Sequence, residues 1–310
     1  MTMQRAMGFL LSASCLFLSM AARADTGPTE AVADQAPAAQ DRDSGAFTTQ
    51  AIGTVDTTSV ILVGTRWYVF DDMDLRDHLV GGTFLIDAQG RITDRFAVGG
   101  SLTVPFMIER GGKKLNGGAF GNPALWARGN VLDDGMNRLG LSMTLYLPAL
   151  WNLSDEGAFA LAMGMTAGNY EMARYMPASL SLRPDVRYQF NYHGLLVNTE
   201  FGFDFMFTFE HDGDNVNTPE MTSVGLHAGL NVGYQILGAV TPFVEMQLSR
   251  LLRVGPHSSF DDFDTYVAIG PGVHLALGPF LGDFYAMIPV SKDYRNAIDA
   301  IIGFRLGGRL

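Results

Sequence analysis

The sequence predicts an all-β chain: a transmembrane, antiparallel, up-and-down β-barrel of about twelve strands behind a cleaved signal peptide. Three observations carry this. Hydrophobic residues make up 47% of the 310-residue chain, yet no stretch reads as an apolar membrane-spanning helix after residue 24. From residue 57 onward, apolar residues recur at every second position and not at a helical period. The connections between these segments alternate between long and short.

Residues 1–24 read as a secretory signal. Arg5 supplies the positive start, Gly8 to Met20 the apolar core, and Ala22-Arg23-Ala24 a small-x-small cleavage site before Asp25. Cleavage removes two positive charges, Arg5 and Arg23, and no acid, so the formal net charge moves from −11 to −13. It also removes Cys15, the only cysteine. The remaining chain has no thiolate nucleophile and no thiolate metal ligand. Its acidic balance lacks the basic footprint of a nucleic-acid binder, so no nucleic-acid partner is expected. Residues 25–56 are rich in Ala, Asp, Thr, Gly and Pro and nearly free of large apolar residues. Such a segment buries too little surface to offset its ordering entropy. It is read as a disordered periplasmic arm, with insertion into a lumen as the alternative. The barrel itself is expected over 57–310.

Strands are expected near 57–70, 78–87, 95–108, 120–132, 138–149, 180–191, 194–209, 221–236, 240–252, 264–277, 280–289 and 297–310. In 221–236, Val224, Leu226, Ala228, Leu230, Val232 and Tyr234 share one face, against Ser223, Gly225, His227, Gly229, Asn231 and Gly233. In 195–209, Leu195, Val197 and a run of alternate phenylalanines oppose Asn198, Glu200, Gly202 and Asp204. In 180–191, Leu180, Leu182, Val186, Tyr188 and Phe190 oppose Ser181, Arg183, Asp185, Arg187 and Gln189. The last strand sets Ile302, Phe304 and Leu306 against Gly303, Arg305 and Gly307. A soluble sheet hides its apolar face and puts Lys and Glu on the other. Here the polar face is small and sparsely charged, and after residue 24 lysine is limited to Lys113, Lys114 and Lys292. Apolar-out, polar-in barrel strands explain both features.

The connections Asp71–Asp77, Glu109–Ala119, Leu150–Ser179, Glu210–Glu220, Arg253–Phe263 and Val290–Asn296 are long. Asp133–Asn137, Tyr192-His193, Leu237–Ala239 and Gly278-Pro279 are short; Ala88–Asp94 breaks the pattern. Long loops outside and short periplasmic turns are the outer-membrane arrangement, and an even strand number closes the sheet. The Ala- and Met-rich segment Ala158–Met176 is read as an extracellular loop element with room for a short helix. Two strands there would raise the count to fourteen.

Asp94–Phe106, ending in a Pro-aromatic pair, resembles a strand of the outer-membrane barrels grouped as the phenol-degradation meta-pathway family. Gly121-Asn122-Pro123-Ala124-Leu125-Trp126-Ala127-Arg128 resembles that family's next strand, and Leu139–Pro148 the one after. The sequence departs from the pattern at Asn122, where Asp is expected. The resemblance covers about residues 57–150. It implies a bacterial outer-membrane barrel for passage or uptake of a small solute, aromatic or hydrophobic in class. It implies no cofactor, metal or catalytic residue. Gly303–Leu310 resembles the terminal strand recognised by the barrel assembly machinery, though with Leu310 in place of an aromatic end.

Strand parity puts Arg128, Arg183, Asp185, Arg187, Glu200, Asp204, Glu245, His274, Asp283, Asp299, Arg305 and Arg309 on the inner face. A Tyr192-His193 turn would set Asp185 opposite Glu200, and a Gly278-Pro279 turn sets His274 opposite Asp283. These groups fit a charged eyelet that filters solutes. They equally fit an internal salt-bridge network that holds a narrow barrel shut. A lipid-modifying enzyme is the third reading. It needs Ser beside His on the lipid-facing side, and no such pair is placed there. Expected partners are outer-membrane lipid, lipopolysaccharide, the assembly machinery and an unidentified small solute. The acidic loops around Asp71, Asp212 and Asp261 lack a complete calcium pattern. Trp67, Trp151, Phe209 and Tyr234 read as interfacial aromatics.

Overall fold

The structure is a computed structural model. It describes residues 57–70, 79–109, 117–149, 155–176, 178–209, 211–212, 215–216, 221–236, 238–253, 265–291, 294 and 298–310. The signal peptide, the 25–56 arm, Trp151 and the acidic residues at 71–77 and 261–264 lie outside the described residues.

Twelve long strands form one closed antiparallel ring. They are β1 Val60–Phe70, β2 Leu79–Thr93, β3 Phe96–Glu109, β5 Ala124–Asp133, β6 Asn137–Tyr146, β7 Ser179–Tyr192, β8 Leu195–Thr208, β11 Met221–Tyr234, β12 Val240–Arg253, β13 Tyr266–Leu277, β14 Phe280–Pro289 and β15 Ile298–Arg309. Two-residue strands stand at β4 Gly117–Gly118, β9 His211–Asp212 and β10 Asn215–Val216. Neighbours in sequence are neighbours in the sheet, and β1 closes on β15 from Val60↔Arg309 to Phe70↔Ile298. Closure leaves no strand edge with unmet backbone groups, as a bilayer requires.

Side chains are distributed inside-out. The outward row carries Ile61, Val63, Phe84, Leu102, Leu125, Phe201, Val244, Ile288 and Ile302, all exposed; Leu125 is 52% and Phe201 48% exposed. The inward row of the same strands is buried and polar: His227 and Glu245 are 0% exposed. Only a lipid solvent accommodates that reversal. Trp67 and Tyr234 are exposed on the outer face, as interfacial aromatics are. No described helix is long and apolar enough to cross a membrane.

The short-turn end is more regular than the sequence suggests. The irregular connection Ala88–Asp94 is mostly strand: β2 runs to Thr93, and Thr93 pairs with Phe96 around a two-residue turn. Alternation fades there because Ala88 and Gly90 take outward places that large apolar residues fill higher up. At the next turn Asp134 accepts the Asn137 backbone N–H at 2.6 Å, the Met136 N–H at 3.0 Å and the Asn137 side-chain amide at 2.9 Å. These bonds, the Asn137 backbone bond foremost, hold its carboxyl below the ordinary value. A depressed folded value makes this stabilisation present above the unfolded carboxylate range and lost as pH falls through the folded value. A carboxyl-carbon NMR titration is expected to place Asp134 below the ordinary aspartate midpoint; an ordinary midpoint refutes it.

The β7–β8 turn lies one residue further on than Tyr192-His193. It is His193-Gly194, with φ of 49° and 87°, and Tyr192 pairs with Leu195. Both central residues of this tight hairpin turn take positive φ, which Gly194 accepts without strain. Moving the turn by one residue shifts the pairing by two. Arg187 therefore faces Glu200, and Asp185 faces Gly202, not Glu200. At the other end of β1, a bulge between Val69 and Phe70 turns Ile298 into the inward row. Asp299 is thereby displaced from the buried row that parity assigned it.

The long connection between β6 and β7 is not an external loop. It folds into the barrel as helix α1, Asp155–Ala167, followed by a 3₁₀ segment, Asn169–Arg174. Its sequence explains this. Beyond Asp155-Glu156, α1 is apolar apart from Thr166, with Phe159, Leu161, Met163 and Met165 spread around it, and such a helix is driven to bury its surface. Ala160 and Ala167 join a cluster with Tyr68, Phe70, Met107, Tyr266, Tyr285, Met287 and Ile301 from the inner wall. Gly164 lets the helix lie against the Tyr175 ring, where an added Cβ would come within 2.8 Å.

Candidate functional site: the ion-paired lumen

Three polar groupings stack along the inner wall. The lowest, at the short-turn end, joins β13, β14, β15 and β2. His274 Nδ1 meets Asp283 Oδ1 at 2.7 Å, and Arg305 donates to Asp283 Oδ2 at 2.9 Å while lying 3.9 Å from Asp87. The Gly278-Pro279 turn gives the expected His274↔Asp283 register. Asp283 is shared between His274 and Arg305, an arrangement that fixes the imidazole.

The middle grouping lies on β7, β8 and β11. Arg183 donates to Glu200 at 3.0 Å and lies 3.6 Å from Asp204. Arg187 donates to Asp185 at 2.5 Å and lies 3.4 Å from Glu200. Asp204 meets His227 Nδ1 at 2.9 Å, and the Ser142 hydroxyl donates to Asp185 at 3.2 Å. Asp185, Glu200 and His227 offer ligand atoms within 4.8 Å of one another. The guanidinium groups of Arg183 and Arg187 already occupy those carboxylates, so the donor set repels a cation. Gly202 makes room for the imidazole. An added Cβ would overlap the Pro184 carbonyl oxygen and come within 2.7 Å of His227 Nε2. Gly202→Ala is expected to lower barrel stability by on the order of 1–3 kcal/mol through overpacking. A thermal melt followed by unheated gel mobility checks it; an unchanged melting temperature refutes it.

Glu245 stands apart from the arginines. Gln247 donates to it at 2.6 Å and Asn231 at 3.3 Å, and it has no ion pair among the described residues. Arg128 and Arg309 are only half-buried and stand nearer the short-turn end. Arg128 donates to Gln89 Oε1 at 3.1 Å and lies over the Trp126 ring at 5.0 Å.

The third grouping joins the insert to the wall and was not foreseen. Arg66 of β1 donates to Glu171 at 2.9 Å, and Arg174 donates to the other oxygen of Glu171 at 3.0 Å. Arg174 also donates to Ser101 at 3.0 Å and Thr103 at 2.8 Å on β3. Arg183 links this grouping to the middle one, donating to the Tyr170 carbonyl at 2.8 Å and facing its ring at 5.0 Å. Asn122 completes the attachment. Its amide donates to the carbonyls of Ala173 at 2.9 Å and Met176 at 2.7 Å, and its oxygen accepts the Ala149 N–H at 3.1 Å. Its own backbone N–H goes to the Arg174 carbonyl at 2.7 Å. This explains why β5 begins at Ala124 and not near 120: Asn122 bonds the insert, and Pro123 has no N–H to give. Arg66 was legible from parity, two residues from Tyr68 on the inward row. Glu171 and Arg174 were not, because nothing in a loop sequence says where the loop folds.

Glu200, His227, Glu245 and His274 are all 3% exposed or less, so side chains pack the middle of the lumen.

No family model matches the chain, and no curated protein matches its sequence. Among solved structures, an outer-membrane channel from Pseudomonas putida F1 is similar at TM-score 0.58 and 11% identity, covering 85% of this chain and 99% of that one. The NanC porin gives TM-score 0.49 at 8% identity over 81% of this chain and 100% of its own. The KdgM porin gives 0.45 at 8% identity over 79% and 97%. At these identities the likeness speaks to fold. With the lipid-facing belt and the closed twelve-strand ring, it makes this chain a bacterial outer-membrane β-barrel.

Proposed function

We propose that the barrel passes small solutes passively across the outer membrane, through a lumen that the α1 insert constricts. The carrying observation is how the insert is held. Side chains of Arg66, Asn122 and Arg183 tie it to the wall, and no strand ladder includes it. A segment held by apolar packing, hydrogen bonds and ion pairs, but by no strand ladder, can leave its seat without opening the ring. The Pseudomonas putida structure described as a channel supports the same reading. The resemblance of residues 57–150 to the phenol-degradation meta-pathway family adds the solute class, aromatic or hydrophobic. The inner wall at the long-connection end, with Tyr68, Phe70, Tyr266 and Tyr285, suits such a solute.

The packed middle of the lumen favours a second reading, a binding or structural barrel held shut by its ion pairs. Planar bilayers decide between them. Passage expects discrete current steps from the purified chain that grow when the insert is loosened. Absence of current both before and after loosening leaves the closed barrel.

A further inference from the structure

We propose that Arg128 and Arg187 form a carboxylate-binding station at the short-turn side of the lumen, suited to a small solute bearing one carboxylate. It deepens the passage reading, which supplies the route by which a solute arrives; the station supplies what holds it.

Arg66, Arg174, Arg183, Arg187 and Arg305 each meet a carboxylate within ion-pair distance. Arg128 meets none among the described residues. Its bond to Gln89 leaves Nε without an acceptor. Arg187 spends Nε and Nη2 on Asp185 and Glu200, and its Nη1 also has no acceptor. The register sets the two side by side. Arg128 lies opposite Ser142 and Arg187 opposite Gly140, on one inward row of β6. Gly140 has no side chain, and the Ser142 hydroxyl is turned to Asp185. Two guanidinium groups thus flank a floor of small residues, each with an unmet donor.

The chemistry of the acceptor follows. One unmet donor on each side matches the two oxygens of a planar carboxylate, and charge-assisted bonds of this kind are short and directional. Chloride bridges two donors only where they converge on one point, whereas the two oxygens of a carboxylate reach donors set apart. A phosphate dianion overshoots, because Asp87, Asp185 and Glu200 lie within electrostatic range of Arg128. A monoanion supplies the one counter-charge that Arg128 lacks. Access also fits. Arg128, Trp126 and Asn130 are half-buried, whereas Asp185 and Glu200 beyond them are packed. Arg128 is held by one hydrogen bond and the Trp126 ring, and its buried Nε reaches a ligand by a turn of the side chain.

The test titrates the full chain in detergent micelles with carbon-13-labelled sodium acetate, following the carboxylate line width by NMR. Saturable broadening is expected for the unmodified chain. Arg128→Gln is expected to weaken binding tenfold or more, and Arg128→Lys, which keeps the charge but loses the forked donor set, by several-fold. Unheated gel mobility verifies that each variant is a folded barrel. Sodium phosphate and sodium chloride at equal ionic strength are expected to compete poorly. No saturable broadening, or acetate affinity unchanged in Arg128→Gln, overturns the station. Acetate binding without any ionic current in bilayers would leave the station standing and sink the passage reading.

Discussion

Asn122→Asp is expected to release the insert from the wall and raise single-channel conductance several-fold. The amide of Asn122 supplies both hydrogens that the Ala173 and Met176 carbonyls accept. A carboxylate has no hydrogens to give, and it would face those carbonyl oxygens directly. Each buried group left without its partner costs about 1–3 kcal/mol, and more where a charge is involved. Two insert carbonyls lose their donor and a buried charge is added beside them, while the strand ladders remain intact. The expected signature is therefore specific: proteolysis within 155–176 accelerates, the current rises, and the folded barrel still runs fast on an unheated gel. Unchanged current together with faster proteolysis would show that the insert is not the constriction. The position is informative because Asp has the size of Asn and lacks only the amide hydrogens. In this chain the amide is what the insert requires.

Arg183→Ala is expected to have the largest effect on stability. Arg183 donates to Glu200 and to the Tyr170 carbonyl, and lies within ion-pair distance of Asp204, at 3% exposure. Its removal leaves two buried carboxylates short of counter-charge and one insert carbonyl without a donor. Breaking a buried pair from one side costs about 3–5 kcal/mol, because the surviving charge is stranded. A clear fall in the thermal midpoint of barrel unfolding is expected, and any current that remains should shift toward cation selectivity. Arg183→Ala/Glu200→Ala should recover part of the stability, since it removes the stranded charge as well as its partner. If the double variant is no more stable than Arg183→Ala, the pair is not the source of the loss.

The two variants address different layers of one design. Asn122 holds the insert by hydrogen bonds alone. Arg183 couples the insert to the middle grouping, so that grouping changes its electrostatics when the insert leaves.

Much of this was legible in sequence for a physical reason. A strand has a period of two, and lipid on one side and a polar lumen on the other stamp opposite chemistry on alternate residues. Reading parity along Ser181, Arg183, Asp185, Arg187 and Gln189 therefore finds a row that is buried in the structure. Parity does not give partners. The partner of Asp185 depends on whether the turn is Tyr192-His193 or His193-Gly194, a difference of one residue that preserves every face and moves every pair by two. Nor does parity survive a bulge, which is why Asp299 leaves the buried row and Ile298 enters it.

The sequence by itself determined the barrel and its inward face, because those follow from a repeating local pattern; the structure decided that the strands of the ring number twelve and not fourteen. Tertiary structure alone decided that Asp155–Arg174 lies inside, with Glu171 between Arg66 and Arg174 and with Asn122 beneath it. The Arg66–Glu171 and Asn122–Ala173 contacts join residues 105 and 51 positions apart in the chain. No local period encodes such a meeting; it is set by the free energy of burying a largely apolar helix in a lumen wide enough to take it.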